Sequence, residues 1–331
     1  MVRFALLGAG RIGAMHGANI AATRRARLAA VYDVHRPTAE KVAAAHGARA
    51  ADSVAAALAE ADAVLIASST DTHVDLITAA AKAGKPILCE KPIDLDIARV
   101  EQCRRAIAEL GVPVQIGFNR RYDPSHRALR DAVRGGEIGQ LELLLITSRD
   151  PSLASMAYMR VSGGIFRDMT IHDFDFARYV LGEEPIEVYA TGSVMVEQGL
   201  EQLNDVDTAM VVMKAPSGAL VHIDNSRRAV YGYDQRIEAF GSRGMVQSAN
   251  WRPTTLRRYG AQRTAAQDPL LHFFIERYAQ AYVDELNEFI DVVENGLQPS
   301  VGFEDGRRAL IIANAAWESL RSGRAVTISY E

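Results

Sequence analysis

The chain is expected to be an α/β protein. An N-terminal doubly wound parallel sheet of the Rossmann type should lead into an α+β part built on a large, open, mostly antiparallel sheet. Three observations predict this. A short apolar run over 2–7 feeds directly into Gly8-Ala9-Gly10-Arg11-Ile12-Gly13. Strand-like and helix-like patterns alternate through the first third. After about residue 120, long strand-like runs follow one another with few helices between. A length of 331 residues exceeds a usual single domain, so two are expected, 1–120 and 121–331.

The opening run is the first strand, and the glycine pattern that follows has the context of a dinucleotide fingerprint. Gly8 permits a tight turn, Gly10 lets the backbone approach a pyrophosphate, and Gly13 allows a helix to pack closely on the strand. Arg11 and Ile12 lie within the loop, and a helix-compatible stretch over 14–22 follows, whose free N–H groups and positive dipole end suit phosphate. A second strand over 27–32 ends at Asp33, 20 positions after Gly13, where a ribose 2′-hydroxyl acceptor is expected. A carboxylate there favours NAD and repels the 2′-phosphate of NADP. Arg36 leaves NADP open as a weaker cofactor, because an arginine at that point can tolerate the phosphate. Its other reading is a solvated start to the next helix, ahead of Pro37.

The alternation continues. Residues 63–67 read as a buried parallel strand, followed by Ser68-Ser69-Thr70-Asp71-Thr72-His73 and a helix over 74–83 closed by Gly84. Residues 86–89 make another strand, ending at Glu90-Lys91-Pro92. A helix over 95–110 stops at Gly111, and 112–116 supplies a sixth strand. Such βα units form a parallel sheet with right-handed crossovers, and ligands bind beyond the carboxyl ends of its strands. Gly8, Asp33, Ser69, Thr70, His73, Glu90, Lys91 and Asn119 lie at or just after those ends, which makes them candidate cofactor contacts.

In the second part, helix patterns cover 123–134, 274–294 and 304–322, and strand patterns cover 141–148, 186–196, 206–214, 219–225, 235–240 and 245–250. Short turns such as Ala215-Pro216-Ser217-Gly218 argue for antiparallel pairing. Between them lies Gly163-Gly164-Ile165-Phe166-Arg167-Asp168-Met169-Thr170-Ile171-His172-Asp173-Phe174-Asp175. On one continuous helix, Asp168 and His172 at i and i+4 would share a face. A carboxylate orienting an imidazole suits general-base removal of a proton from an alcohol. A surface ion pair is the plainer reading of the spacing taken alone.

Composition excludes several classes. A hydrophobic content of 48% with 24% charged residues is that of an ordinary globular protein. A net charge of −4 gives no electrostatic reason to expect nucleic acid or an anionic membrane as partner. The two cysteines, Cys89 and Cys103, have no metal-ligand spacing and fit a reducing compartment, and no metal is expected. The N-terminus enters the glycine loop at once, so a signal peptide is not expected and the cytoplasm is the default location. Apolar sets such as Val206, Ala209, Val211 and Met213 are expected to exceed what one layer of helices covers, so a dimer or tetramer should form through the second sheet.

These motifs together resemble the glucose–fructose oxidoreductase/inositol dehydrogenase (Gfo/Idh/MocA) family over essentially the whole chain. The resemblance is carried by the glycine fingerprint and by Ala83-Gly84-Lys85-Pro86 leading into Cys89-Glu90-Lys91-Pro92. Gly117-Phe118-Asn119-Arg120-Arg121-Tyr122-Asp123-Pro124, the 163–175 stretch and the run 224–236 resemble the inositol 2-dehydrogenase branch more narrowly. The resemblance implies NAD-dependent oxidation of a secondary hydroxyl of a cyclic polyol, foremost myo-inositol to 2-keto-myo-inositol (scyllo-inosose). It implies Lys91 at the nicotinamide, hydrogen-bonded to the reacting hydroxyl, with His172 as general base paired to Asp168. It also implies a cis bond before Pro92.

Asn225 and Tyr233 would contact the polyol, or serve as ordinary strand-edge and turn residues. Asp150 binds a hydroxyl or is a plain turn-forming Asp-Pro. One stretch departs from the branch: where a proline-rich loop is usual, this chain has Ser152-Leu153-Ala154-Ser155-Met156-Ala157-Tyr158-Met159. Another inositol isomer or a pyranose sugar is therefore the alternative substrate. A non-catalytic NAD- or sugar-binding regulator is the alternative from another class, opposed by the presence of Lys91, Asp168 and His172 together.

Overall fold

The computed structural model describes residues 1–331 and divides into two compact units, 1–119 with 280–310 and 120–279 with 311–331. The segment 280–310, expected in the second part, therefore falls with the first.

In the first unit the order is β1 (Val2–Leu7), α1 (Arg11–Ala22), β2 (Ala26–Tyr32), α2 (Arg36–Ala45), β3 (Arg49–Ala50) and α3 (Val54–Ala59). There follow β4 (Ala63–Ile66), α4 (His73–Lys82), β5 (Ile87–Glu90), α5 (Ile97–Ile107) and β6 (Val114–Gly117). The six strands are parallel in the order β3-β2-β1-β4-β5-β6. The order reverses between β1 and β4, so their carboxyl ends flank a switch-point crevice. Phe4, Leu6, Leu65 and Leu88 are buried there with Ile20 of α1, because helices on both faces remove the strands from water and reward continuous apolar runs.

The second unit begins with α6 (Pro124–Arg134), started by Asp123, whose side chain accepts from the Ser125 and His126 N–H groups; that carboxylate satisfies orphan donors of the first turn. Then come β7 (Leu141–Arg149), α7 (Met156–Met159), α8 (Ile165–Asp168), α9 (Ile171–Leu181), β8 (Glu187–Ser193), β9 (Thr208–Lys214), β10 (Leu220–Ser226), β11 (Asp234–Gly241) and β12 (Gly244–Ser248). A hairpin of β13 (Arg257–Gly260) and β14 (Arg263–Gln267) precedes α10 (Phe274–Arg277). The expected helix over 274–294 is interrupted at Tyr278, and its longer part is α11 (Ala279–Asn295). The chain ends with α12 (Phe303–Ser322) and β15 (Val326–Thr327). The seven strands run β12-β11-β7-β10-β9-β8-β15, antiparallel except for the parallel pair β7/β10.

Alternation along these strands separates two faces. Leu144, Ile146, Ala209, Val211, Val221 and Ile223 are buried in one core with Phe166, Phe174 and Trp317. The set read as uncovered is thus corrected: Ala209, Val211 and Met213 are buried in that core and Val206 packs against it. The opposite parity supplies the exposed apolar residues, among them Leu143, Leu145, Tyr189, Met210, Val212 and Phe240. A strand of period two shows which residues alternate, and only packing decides which set faces inward.

Helix α11 returns to the first unit because its stripe Leu286, Phe289 and Ile290 is buried with that unit's core. The Phe289 ring centroid lies 5.9 Å from that of Phe4.

Candidate active site

The glycine loop takes the conformation its residues require. Gly8 has φ +96°, and a Cβ there would lie 2.4 Å from the Ser68 nitrogen. A Cβ on Gly13 would fall 2.0 Å from the Gly8 oxygen, whereas one on Gly10 meets nothing within 4 Å. Turn, close packing and an open face for an incoming phosphate are thus divided among the three glycines. The Asp33 carboxylate accepts from Ala9 N at 2.7 Å and from His35 N at 2.8 Å. A cavity of about 670 Å³ is lined by Gly8, Gly10, Arg11, Ile12, Asp33 and Ser69, with Ser68 and Thr72 nearby. These residues fit a dinucleotide: donors and open backbone at the helix start, an anchored acceptor at the end of β2.

Other expected contacts stand differently. Thr70 opens the short turn Thr70–Thr72. His73 is buried, with Nδ1 2.8 Å from the Pro92 oxygen and Nε2 3.1 Å from the Ser68 oxygen. Burial lowers its pKa against those two carbonyls. The neutral imidazole has one N–H to donate to these two carbonyls. Asn119 is buried. Glu90 ends β5 with its Oε1 2.7 Å from Nε2 of the fully buried His16, and the next peptide, Lys91–Pro92, is cis. Glu285 was not singled out in the sequence. It is fully buried on α11, neither carboxyl oxygen has a hydrogen-bond partner, and burial, then Glu90, pushes it well above the ordinary range.

In the second unit Asp168 and His172 do not lie on one uninterrupted helix. Asp168 ends α8 and His172 sits in the first turn of α9. Between them the Met169 and Thr170 N–H groups both point to the Ile165 oxygen, at 2.9 Å each. The i,i+4 argument therefore does not place the pair. Two side chains outside this helix hold Asp168: Arg227 Nη2, 59 residues on, donates to Oδ2 at 2.9 Å, and the Tyr158 hydroxyl, 10 residues before, donates to Oδ1 at 2.7 Å. Tyr158 belongs to the stretch that departs from the proline-rich pattern. Arg227 adjoins Asn225 and Ser226 in a quoted motif, yet nothing local marks its partner. From Met169 to Arg178, His172 alone keeps solvent access.

Asp150 follows β7 and retains some solvent access. The groups crowded around its carboxyl push it up to about 6, burial first, with Arg227 opposing and Asp168 adding to the rise. Tyr233 is buried, its ring 6.0 Å edge-on from Tyr278, and burial holds its phenol far above its usual value. Asn225 was expected to meet the polyol. Its carboxamide is instead committed to the protein, accepting from Thr170 Oγ1 at 2.6 Å and donating to Asp173 Oδ2 at 2.9 Å and to the Ser148 oxygen at 3.2 Å. A carboxamide has two N–H donors, so both are spent.

Two family models cover most of the chain. Residues 2–118 match an oxidoreductase family with an NAD-binding Rossmann fold, and 126–247 match a GFO/IDH/MocA C-terminal domain. The chain is 46% identical over 330 residues to an inositol 2-dehydrogenase of Rhizobium meliloti, covering 99% of each. The crystal structure of a myo-inositol dehydrogenase from Corynebacterium glutamicum is similar at 47% identity and a TM-score of 0.96, covering 100% of both chains. A myo-inositol dehydrogenase from Lactobacillus casei, in complex with NAD(H) and myo-inositol, is similar at 25% identity and a TM-score of 0.89, over 100% of this chain and 98% of that one. With a parallel nucleotide-binding sheet, a mixed second sheet and relatives matched from end to end, this chain belongs to the GFO/IDH/MocA family of oxidoreductases.

Proposed function

We propose that the protein is an NAD-dependent dehydrogenase that oxidises a secondary hydroxyl of myo-inositol to 2-keto-myo-inositol (scyllo-inosose). The observation that carries this reading is the full-length similarity to inositol dehydrogenases, joined to an open glycine cradle with an anchored Asp33. Bound NAD supplies the hydride acceptor. The chain's own residues then have three tasks. Lys91 donates a hydrogen bond to the reacting hydroxyl oxygen and favours its alkoxide character. His172 takes the hydroxyl proton as the carbon–hydrogen pair departs as hydride. Asp168, kept in place by Arg227 and Tyr158, supports the imidazolium that results.

Arg36 bears on the cofactor. Its guanidinium pairs with Glu40 at 2.8 Å and with Asp52, which supports NAD over NADP, with NADP the weaker cofactor. The departing 152–159 stretch, which brings Tyr158 to Asp168, favours a second reading in which another inositol isomer or a pyranose is turned over. The exposed apolar face of the second sheet supports a dimer or, by doubling, a tetramer. No helix is long and apolar enough to cross a membrane, and we place the enzyme in the cytoplasm. A panel of inositol isomers and pyranoses, assayed with NAD and NADP at alkaline pH by absorbance of the reduced nicotinamide, tests the reading. Turnover of myo-inositol with NAD is the expected result; no turnover of any cyclic polyol overturns it.

A further inference from the structure

We infer that Asn225 is a positioning residue that clamps Thr170 and Asp173 on the two sides of His172, so that a hydrogen-bonded circuit fixes the start of the helix that carries the imidazole. The inference rests on the reading of His172 as the base. Asn225 lies near the end of β10 on the face that carries Val221 and Ile223, and it is buried. Its Oδ1 accepts from Thr170, two residues before His172, and its Nδ2 donates to Asp173, the residue after it. The circuit closes through Arg120, which binds Asp173 with one nitrogen and Ser148 Oγ at 3.1 Å with another, while Asn225 reaches the Ser148 oxygen. Thr170, Asp173 and Ser148 are all fully buried.

The local backbone explains why a clamp is needed. Met169 and Thr170 compete for one carbonyl, and the His172 N–H reaches the Met169 oxygen only at 3.3 Å, long for a backbone bond. Thr170 precedes α9 as its N-cap, yet its hydroxyl makes no capping bond; it is directed to Asn225 and, at 3.3 Å, to the Ile165 oxygen. The orientation of the carboxamide is also determined. Turned over, it would set its oxygen against two acceptors, the Asp173 carboxylate and the Ser148 carbonyl, losing the favourable polarity of both contacts.

The test uses the full-length enzyme with NAD and myo-inositol, comparing Thr170→Val, Thr170→Ser, Asn225→Ala and His172→Ala. Because misplacing a reacting group by about 1 Å costs roughly 10²-fold, Thr170→Val and Asn225→Ala should lower kcat by ~10–100-fold. KM for the polyol and Kd for NAD should stay within about threefold, and Thr170→Ser should recover kcat to within about threefold of wild type. Should Asn225→Ala fail to fold, Thr170→Val against Thr170→Ser decides alone. A raised polyol KM with kcat retained in Asn225→Ala would make Asn225 a ligand and overturn the clamp. Wild-type kcat in the Thr170→Val and Asn225→Ala variants, with His172→Ala inactive, overturns the clamp and leaves the base standing. Full turnover in His172→Ala removes the base and the clamp's purpose with it.

Discussion

Arg227 donates to Asp168 at 2.9 Å from a position where its own side chain is nearly inaccessible to water. The guanidinium is thereby a fixed countercharge for the carboxylate that our reading pairs with the base. Replacing it with an apolar residue leaves the part-buried Asp168 with the Tyr158 hydroxyl but without that partner, a loss of about 1–3 kcal/mol. Arg227→Met should therefore lose stability of that order in urea denaturation and fall sharply in kcat. Tyr158→Phe, which removes one hydroxyl from an exposed residue, should keep its melting temperature and lower kcat/KM by only ~3–10-fold. An Arg227→Met enzyme as stable and active as wild type would refute this assignment.

Asp33 bonds two backbone N–H groups besides the ribose hydroxyl we assign to it. Asp33→Ala should reduce kcat/KM for NAD by ~10–100-fold, the effect of losing one or two charge-assisted hydrogen bonds. NADP should lose much less, so the preference narrows. Steady-state comparison of the two cofactors checks this, and an unchanged preference ratio would show that Arg36 and its neighbours set the choice.

The carboxyl of Asp150, pushed up to about 6, should be a good hydroxyl acceptor above that pH and a poor one below it. KM for the polyol is expected to rise as pH falls through 6 in the wild type. Asp150→Asn should show a raised KM that no longer changes across this range. A wild-type KM that is flat between pH 5 and 7, roughly one unit either side of the midpoint, would remove Asp150 from substrate binding.

Glu285 governs stability instead. Burial raises its folded value above the ordinary glutamate value of 4.5. Above pH 4.5 the unfolded chain releases this proton while the folded chain keeps it, so the contribution to stability is complete below that pH. It is lost as pH climbs toward the folded value. Glu285→Gln removes the titration. The variant should gain on wild type as pH rises above 4.5 in chemical denaturation, and a difference independent of pH would contradict the neutral buried acid.

The assembly we propose would use the outward row of the second sheet. Val212→Glu together with Leu145→Lys should dissociate the oligomer without unfolding the protomer, since both side chains are exposed and off the core. Light scattering after size exclusion should find the wild type at a multiple of 36.1 kDa and the double variant at the protomer mass. A wild type that stays at 36.1 kDa at working concentration would exclude the interface.

The glycine loop, Asp33 and the two-sheet plan were legible because each depends on residues close in sequence, where steric and hydrogen-bonding rules act locally. The candidate site residues of the second unit were legible only as residue types. Asp168 and His172 were placed on one helix by a spacing rule, and the backbone between them broke the rule. Arg227 is 59 residues from its carboxylate, a relation no local pattern encodes. The parity of β9 was read correctly as alternating and assigned to the wrong side, because a strand does not announce which face its helices will cover.

The return of α11 to the first unit makes the cofactor-binding half discontinuous along the chain, with a timing consequence during synthesis. When residue 119 leaves the ribosome, the apolar surface that Phe289 and Ile290 will cover is still open. Another 159 residues, 120–278, must be made before α11 even begins. At ordinary translation rates that is a delay of roughly 8–30 s. A fragment ending at 119 lacks that cover and should be recovered in inclusion bodies or bound to chaperones.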